Sequence, residues 1–186
     1  MTPDATQPTD EALASALRRG EDAALNALML RWQVPLRAFL YRHLQNEADA
    51  LDLAQETFVR IYRHRANYRE GARFSTWMFQ IALNLTRDHA RRLSRRPLVA
   101  LDNTSESVDL RDDPKSATLA AERITAVRAA IATLPDPLRA PLVLFEYEDK
   151  SHAEIAAIIR ATPKAVETRL ARARDLLRKK LGKFMA

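Results

Sequence analysis

The stretch SHAEIAAIIRATPKAVETRLARARDLLRKKL (151–181) decides the fold of the C-terminal part of the chain. Ser151 and Glu154 have the S-x-x-E spacing of a capping box, and the isoleucines that follow give a short helix an apolar side. After a turn at 160–162, Thr162 can cap a second helix that opens with Pro163. The segment therefore predicts a helix-turn-helix.

The second helix of this pair is amphipathic and basic. Its apolar residues recur at spacings of three or four and predict a buried face made of Val166, Leu170, Ala173, Leu177 and Leu181. A helix fits the major groove of B-DNA, where its side chains meet base edges and its cations meet phosphates. The candidate DNA contacts are Lys164, Thr168, Arg169 and Arg172. The alternative is an ordinary pair of short helices in a bundle, which imitates this spacing.

A second amphipathic helix is predicted over RFSTWMFQIALNLTRDHARR (73–92). Its core stripe consists of Phe74, Met78, Ile81, Ala82 and Leu85. Beside that stripe, one side of the helix carries Trp77, Gln80, Asn84, Arg87, Asp88 and Arg91. Aromatic rings stack on unpaired bases, amides bond base edges and arginines hold the backbone, so this face predicts binding of single-stranded nucleic acid. The alternative is that Trp77 and Phe79 are core aromatics and the arginines are solvated.

Helical spacing of apolar residues extends over almost the whole chain, and no alternating run bounded by turn signals indicates a strand. We therefore predict an all-α protein, with further helices at 10–19, 21–45, 49–65 and 117–133. Another helix follows Leu134 and Pro135. Asp136 is its candidate cap and Pro137 its first residue, although Pro141 also permits a start nearer Leu138.

The predicted organisation is two small helical domains joined by a flexible linker. Residues 94–116 contain two prolines, several Ser, Asn and Asp residues and little apolar periodicity, which is typical of a linker. The predicted units are a disordered tail at 1–9, an N-terminal domain at 10–93, the linker, and a C-terminal domain at 117–186 that contains the helix-turn-helix.

Charge is distributed in blocks along the chain, within a net charge of +6. Residues 57–96 contain ten arginines and two acids, and residues 160–183 contain nine lysines or arginines and two acids. The stretch 101–113 between them has five acids and one arginine. Two basic blocks on either side of an acidic stretch predict two anion-binding surfaces; the alternative is that each block is a solvated helix face.

Composition excludes several classes of function. The three glycines are scattered over 186 residues and form no phosphate-binding loop, and the absence of cysteine excludes disulfides and thiolate chemistry. The polar N-terminus has no signal-peptide core, and no apolar run reaches the roughly 18 residues of a membrane span. We expect a soluble intracellular protein without a cofactor. A metal-dependent hydrolase would have to use His43, His64, His89 and His152, whose spacing does not suit a metal site.

Five ordered blocks resemble the extracytoplasmic-function (ECF) sigma factors of bacterial RNA polymerase. They are DALDLAQETFVRIYRHR (49–65), the helix at 73–92, the segment LPDPLR (134–139), SHAEIAAII (151–159) and KAVETRLARAR (164–174). The resemblance implies an N-terminal domain that binds the polymerase clamp and opens the minus-ten promoter element. It also implies a C-terminal helix-turn-helix that reads the minus-thirty-five element, core polymerase and promoter DNA as partners, and an anti-sigma factor as a further partner.

The resemblance also assigns residues to these roles. The polymerase-facing set is Asp49, Asp52, Gln55 and Glu56. The minus-ten set is Asn67, Tyr68, Arg73, Phe74, Ser75, Thr76, Trp77, Gln80, Asn84, Arg87 and Arg91. The minus-thirty-five set is Thr162, Lys164, Glu167, Thr168, Arg169 and Arg172. Extrusion of a base costs a few kcal/mol, which a binding pocket can offset, so this resemblance implies melting by capture without nucleotide hydrolysis.

Some positions depart from the family pattern. Arg160 stands in the turn where many members have glycine, and Glu167 stands where a basic residue is common. Glu167 can accept a hydrogen bond from cytosine N4, which predicts an altered sequence preference. The remaining alternative is a conventional helix-turn-helix regulator that binds duplex DNA without polymerase, but it assigns no role to the acidic residues at 49–56.

Overall fold

The computed structural model describes residues 7–95 and 116–182, with side chains from residue 122 onward in the second range. Within these ranges the chain is all-α, which confirms the predicted fold class. The α-helices are α1 (Asp10–Arg18), α2 (Ala23–Leu44), α3 (Glu47–Arg63), α4 (Phe74–Arg95), α5 (Ser116–Ala132), α6 (Asp136–Tyr147), α7 (His152–Ile159) and α8 (Pro163–Leu181). A 3₁₀ turn, Arg65–Asn67, follows α3. Neither described range contains a helix long and apolar enough to cross a bilayer.

The helices of residues 7–95, the N-terminal half, begin and end at recognisable signals. The Thr9 hydroxyl accepts a hydrogen bond from the Ala12 amide, and the Asn46 side chain accepts one from Asp49, so α1 and α3 are both capped. Helix α2 ends at Leu44, and the next residue, Gln45, adopts the left-handed conformation (φ 57°). These caps fix where the chain reverses, and they bring α2 and α3 side by side.

Helix α4 packs its predicted core stripe into the N-terminal half. Phe74, Met78, Ala82 and Leu85 are fully buried, whereas Ile81 is partly buried. Phe79 is also buried, and its ring lies 4.9 Å from that of Phe39 on α2 in an edge-on contact. The interpretation of Phe79 as a core aromatic is therefore correct, and the opposite side of α4 is left for other contacts.

The C-terminal half, residues 116–182, contains the predicted helix-turn-helix. Ser151 and Glu154 form both hydrogen bonds of the capping box at the start of α7, and the Thr162 hydroxyl caps α8, which opens with Pro163. Arg160 ends α7 in the left-handed conformation at φ 56°, the geometry that glycine adopts most easily. Val166, Leu170 and Ala173 are buried, and Leu177 and Leu181 are partly buried, as the periodicity predicted.

The sequence permitted a start of α6 at Asp136 and Pro137 or nearer Leu138, and the structure shows the first of these. The helix begins at Asp136 with Pro137 in its first turn, and it continues through Pro141, so a start nearer Leu138 is wrong. The prediction that Asp136 caps this helix is also wrong, since the cap position is occupied by Pro135 and has no side-chain bond. The Asp136 carboxylate instead lies 2.8 Å from Nε2 of His43 on α2.

The two halves pack against each other, which the sequence did not predict. Helix α7 lies on α4, and α5 and α6 lie on α2. Helix α4 extends to Arg95 and α5 starts at Ser116, so most of the predicted linker, together with residues 1–6 of the predicted tail, lies outside the described residues.

Candidate nucleic-acid and polymerase interfaces

One side of α4 presents polar and basic side chains to solvent along its C-terminal part. Asn84, Arg87 and Arg91 are exposed. Nη1 of Arg87 donates to Oδ1 of Asn84 over 3.4 Å, and Arg91 pairs with Asp88 one turn away. Because these contacts are exposed and weak, both guanidinium groups are available to phosphates.

Aromatic rings form the floor at the N-terminal end of this face. Trp77 is partly buried, and its ring lies 5.3 Å from Tyr68 and 6.4 Å from Phe74, both of which are buried. The Tyr68 hydroxyl donates to the carbonyl oxygen of Ala72, which holds the loop before α4 in place. Burial, with smaller contributions from the Glu11 and Asp10 charges, raises the pKa of Tyr68, so its hydroxyl remains a donor.

The other residues of the predicted minus-ten set have different environments. Asn67 is exposed, Thr76 is partly buried and Ser75 is buried. Two members contact the C-terminal half: Nη1 of Arg73 lies 3.0 Å from Glu154, and Nε2 of Gln80 donates to the carbonyl oxygen of Ala157 over 2.8 Å. The set therefore contains exposed, partly buried and buried members.

The predicted polymerase-facing set lies on α3. Asp52 and Gln55 are exposed, while Glu56 is partly buried and accepts a hydrogen bond from Arg60 over 3.0 Å. Asp49 lies 3.2 Å from Nε2 of His89 on α4. The exposed part of this face is therefore centred on Asp52 and Gln55.

An apolar groove between α2 and α3 adjoins the acidic face and was missed by the sequence analysis. It encloses about 690 Å³ and includes Gln55 in its wall. Val34 and Leu51 line this groove and are 66% and 43% exposed. Such apolar residues are usually buried, so the groove is an exposed apolar surface. The sequence of α2 could have indicated this groove, because apolar residues occur on every side of the helix. One helix cannot bury all of its sides in a small domain.

Helix α8 presents its predicted reading face to solvent. Lys164 is 81% exposed and lies 2.8 Å from Glu167, and this hydrogen bond, with the lysine charge, lowers the pKa of the Glu167 carboxyl. The Thr168 hydroxyl donates to the Lys164 carbonyl over 3.0 Å. Arg172 is exposed and Arg169 is partly buried. The hydroxyl of Thr162, by contrast, accepts the cap hydrogen bond from the Ala165 amide.

The four histidines do not form a metal site. His43 is buried against Asp136, His89 lies beside Asp49, and the ring of His152 lies 5.3 Å from that of Phe145. His64 is exposed at the end of α3. Among the residues that the structure describes, no three His, Asp or Glu side chains are grouped closely enough to hold an ion.

The helix-turn-helix and the mixed aromatic and basic face of α4 define a DNA-binding protein of two helical halves. Residues 28–96 match the family model for Sigma-70 region 2, and residues 124–177 match that for Sigma-70, region 4. The RNA polymerase sigma-H factor of Pseudomonas aeruginosa is 32% identical, over 95% of each chain. The ECF RNA polymerase sigma-E factor of Haemophilus influenzae is 31% identical, over 97% of this chain and 100% of its own.

Two solved structures have a similar fold. The structure of CnrH in complex with the cytosolic domain of CnrY has a TM-score of 0.70 at 28% identity, over 94% of this chain and 97% of CnrH. The sigma factor RpoE from Bartonella quintana, in complex with the anti-sigma factor NepR, has the same fold, with a TM-score of 0.65 at 20% identity over 84% of this chain and 96% of its own. The chain belongs to the ECF sigma factors of RNA polymerase. Sigma factors are DNA-binding transcription initiation factors and are not enzymes by themselves.

Proposed function

We propose that this sigma factor docks on core RNA polymerase through α3, captures the melted minus-ten strand on α4, and reads the minus-thirty-five duplex with α8. The observation that supports the proposal is that α4 has two different sides. One side is buried and contains Phe74, Met78, Ala82 and Leu85, and the other exposes amide and guanidinium groups. A rigid helix that presents such groups at fixed spacing suits an unpaired strand.

For polymerase docking, we assign Asp52 and Gln55 to direct contact. Their exposure makes them available, and carboxylates suit a basic docking surface. Asp49 and Glu56 act beside them from partly buried positions, where Asp49 lies near His89 and Glu56 accepts a hydrogen bond from Arg60. The adjoining apolar groove extends the docking surface, because an interface of useful affinity needs an apolar centre within a polar rim.

For the minus-ten element, we assign different roles to exposed and buried residues. Asn67, Trp77, Gln80 and Asn84 meet the bases, while Arg73, Arg87 and Arg91 meet the backbone. Tyr68, Phe74 and Ser75 are buried and form the wall of the pocket, and Thr76 lies at its edge. Strand opening then needs only capture of bases that are already unpaired.

For the minus-thirty-five element, Lys164, Thr168, Arg169 and Arg172 approach the major groove from the N-terminal part of α8. Thr162 contributes as the cap that orients this helix end. Glu167 can accept a hydrogen bond from a base only after its ion pair with Lys164 breaks. Both side chains of that ion pair are exposed to solvent, so the pair is weak.

We further propose that the protein acts in the cytoplasm with RNA polymerase and that an anti-sigma factor binds it. The exposed apolar groove supports a protein partner besides DNA, since a DNA interface is polar and basic.

The test is a run-off transcription assay with purified core polymerase on genomic fragments, with and without this protein. We expect initiation at defined promoters only when the protein is present. Tight, sequence-specific binding of the isolated chain to duplex DNA, with no polymerase-dependent initiation, would contradict the proposal and favour a conventional regulator.

A further inference from the structure

Helix α4 begins after a residue that cannot cap it. The backbone carbonyl of Arg73 accepts a hydrogen bond from the Trp77 amide over 3.3 Å, which places Arg73 at the cap position. An arginine side chain has only donors, so it cannot accept a hydrogen bond from the amides of the first turn. Those amides have no partner within the helix and need an acceptor from elsewhere.

Glu11 of α1 supplies such an acceptor. Its Oε1 atom accepts a hydrogen bond over 3.3 Å from the backbone amide of Phe74, the first residue of α4. Glu11 is partly buried, and a carboxylate at the N-terminus of a helix also stabilises that helix through its dipole. The two residues are 63 positions apart, so the acceptor comes from the packing of α1 and not from the local sequence.

The start of α1 is itself held in place by α2. Asp10 lies 2.8 Å from Nη1 of Arg31 and accepts a second hydrogen bond, also of 2.8 Å, from Nε1 of Trp32. The inner side of α1 buries Leu17 completely. Because Asp10 directly precedes Glu11, these contacts determine where the Glu11 carboxylate lies.

The same helix approaches the 68–73 loop, which is the segment that leads into α4. Nη1 of Arg18 lies 3.3 Å from Glu70 in an ion pair whose side chains are 42% and 68% exposed, so this contact is weak. Glu11 lies close enough to the buried Tyr68 for its charge to act on the phenol. Helix α1 therefore supports the loop along its length and at its junction with α4.

This loop and the first turn of α4 form the aromatic floor of the proposed minus-ten pocket. The ring of Trp77 lies 5.3 Å from that of Tyr68 and 6.4 Å from that of Phe74. The relative placement of these rings depends on where the loop ends and α4 begins, which is the junction that Glu11 holds. A pocket whose groups are already in place binds more tightly, because nothing has to be ordered on binding.

We propose that Glu11 is a positioning residue for strand capture: by capping α4, it holds Trp77 and the 68–73 loop in the geometry that receives an unpaired base. The inference rests on the proposed function of α4. Glu11 acts through the helix it caps, and the ion pair of Arg18 with Glu70 gives the same loop a second, weaker support. Helix α1, which contains no residue of the proposed DNA or polymerase sets, thus has a role in promoter opening.

Amide hydrogen exchange tests the contact in the full chain. In isotope-labelled protein, the Phe74 amide should exchange about fivefold faster in Glu11→Ala than in the wild type, because its acceptor is lost. Glu11→Gln retains a side-chain oxygen of the same reach, so it should keep most of the protection. Equal exchange in Glu11→Ala and the wild type would overturn the cap.

Promoter opening by the holoenzyme tests the role in capture, with permanganate footprinting at polymerase concentrations that saturate each variant. We expect Glu11→Ala to lower open-complex formation by about fivefold, the size of a lost helix cap, with unchanged affinity for core polymerase and for the upstream duplex. Glu11→Gln should stay within about twofold of the wild type. Asn46→Ala is the matched control, because it removes the cap of α3 at similar cost, and it should open the promoter normally.

Two results would overturn the positioning role of Glu11: normal opening by Glu11→Ala, or an equal loss in Asn46→Ala, which would mean that any lost cap lowers opening. Circular dichroism checks folding. If Glu11→Ala does not fold, Arg18→Ala removes only the exposed ion pair and should lower opening by about twofold; no change would then count against support of the loop by α1. Failure of the proposed function has a different signature, because the wild type itself would then open no promoter with core polymerase.

Discussion

Gln80 donates from Nε2 to the carbonyl oxygen of Ala157 over 2.8 Å and thereby joins α4 to α7. The two residues are far apart in the sequence and belong to the two halves that the sequence predicts to be separate domains. The contact holds the Gln80 amide against a backbone carbonyl of the other half.

The packing of the C-terminal half on the N-terminal half should depend on pH through Glu148, which lies 3.5 Å from Arg42 of α2. Burial raises the pKa of Glu148 from 4.5 to about 7, against the opposing charges of Arg42 and Lys150 and with a small contribution from Asp149. A raised carboxyl pKa means that Glu148 binds the proton more tightly when the halves are packed than when its side chain is exposed. The packing is therefore favoured at low pH and weakens as the pH rises from about 4.5 to about 7, by at most about tenfold per pH unit.

Energy transfer between dyes attached at Glu47→Cys and Lys179→Cys, two exposed positions in a chain without cysteine, checks this dependence when it is recorded from pH 5 to pH 8. The Glu148→Gln variant keeps a neutral side chain of similar shape, so its profile should lack the component that Glu148 contributes. The comparison also isolates Glu148 from His43 and Asp136, which contact each other elsewhere in the interface. Identical profiles for the two proteins would refute the role of Glu148.

Asp52→Arg should reduce the affinity for core polymerase by about tenfold, because it places a cation on the acidic docking face. Asp52 is exposed on α3, so the change should leave folding intact. Binding to labelled core enzyme measures the effect. Glu122→Arg, an exposed position on α5 with the same change of charge, is the matched control and should bind like the wild type. Equal affinities of Asp52→Arg and the control would remove Asp52 from the interface.

Asn84→Ala should lower open-complex formation by about tenfold while polymerase binding is retained, since the lost contact is to an unpaired base. Permanganate footprinting of promoter thymines measures opening. The exposed Ser94→Ala on the same helix provides the control. Trp77→Ala should act in the same direction through lost stacking, of about 1–3 kcal/mol. Normal opening by both Asn84→Ala and Trp77→Ala would exclude the α4 face from capture.

Arg172→Ala should weaken binding to the upstream element and reduce the salt slope of binding by about one unit if the guanidinium meets a phosphate. Arg174→Ala on the same helix is the control, because Arg174 pairs with Glu146 at 2.8 Å and lies over the Phe145 ring. Binding of the holoenzyme to an upstream-element duplex, measured at a series of salt concentrations, gives the affinity and the salt slope for each variant. A larger loss for Arg174 than for Arg172 would reverse our assignment of the α8 faces.

Arg160→Gly should raise the free energy of unfolding by about 0.5–1 kcal/mol, because Arg160 adopts φ 56° and glycine reaches this conformation without a Cβ clash. Gln45→Gly, at the left-handed end of α2, is a parallel test in the other half. Chemical denaturation followed by circular dichroism gives both values. A loss of stability in Arg160→Gly would show that the arginine side chain contributes more than the strain costs.

Local chemistry explains how much of the site the sequence predicted. The capping box at Ser151, the cap at Thr162 and the buried face of α8 depend on residues within a few turns of one another, and all three were confirmed. The acidic residues of α3 and the polar face of α4 were found for the same reason, because helical periodicity places side chains on a common face. Their roles toward polymerase and DNA remain predictions.

The sequence by itself determined the all-α class, the caps of α7 and α8 and the polar faces, because hydrogen bonds and apolar periodicity within each helix are local properties. Tertiary structure alone decided that Asp136 meets His43 rather than capping α6, that Tyr68 is buried, and that Gln80 donates to the carbonyl oxygen of Ala157 on α7. Each of these outcomes depends on which distant side chain reaches the same place, and that is fixed by the packing of whole helices, which no local pattern specifies.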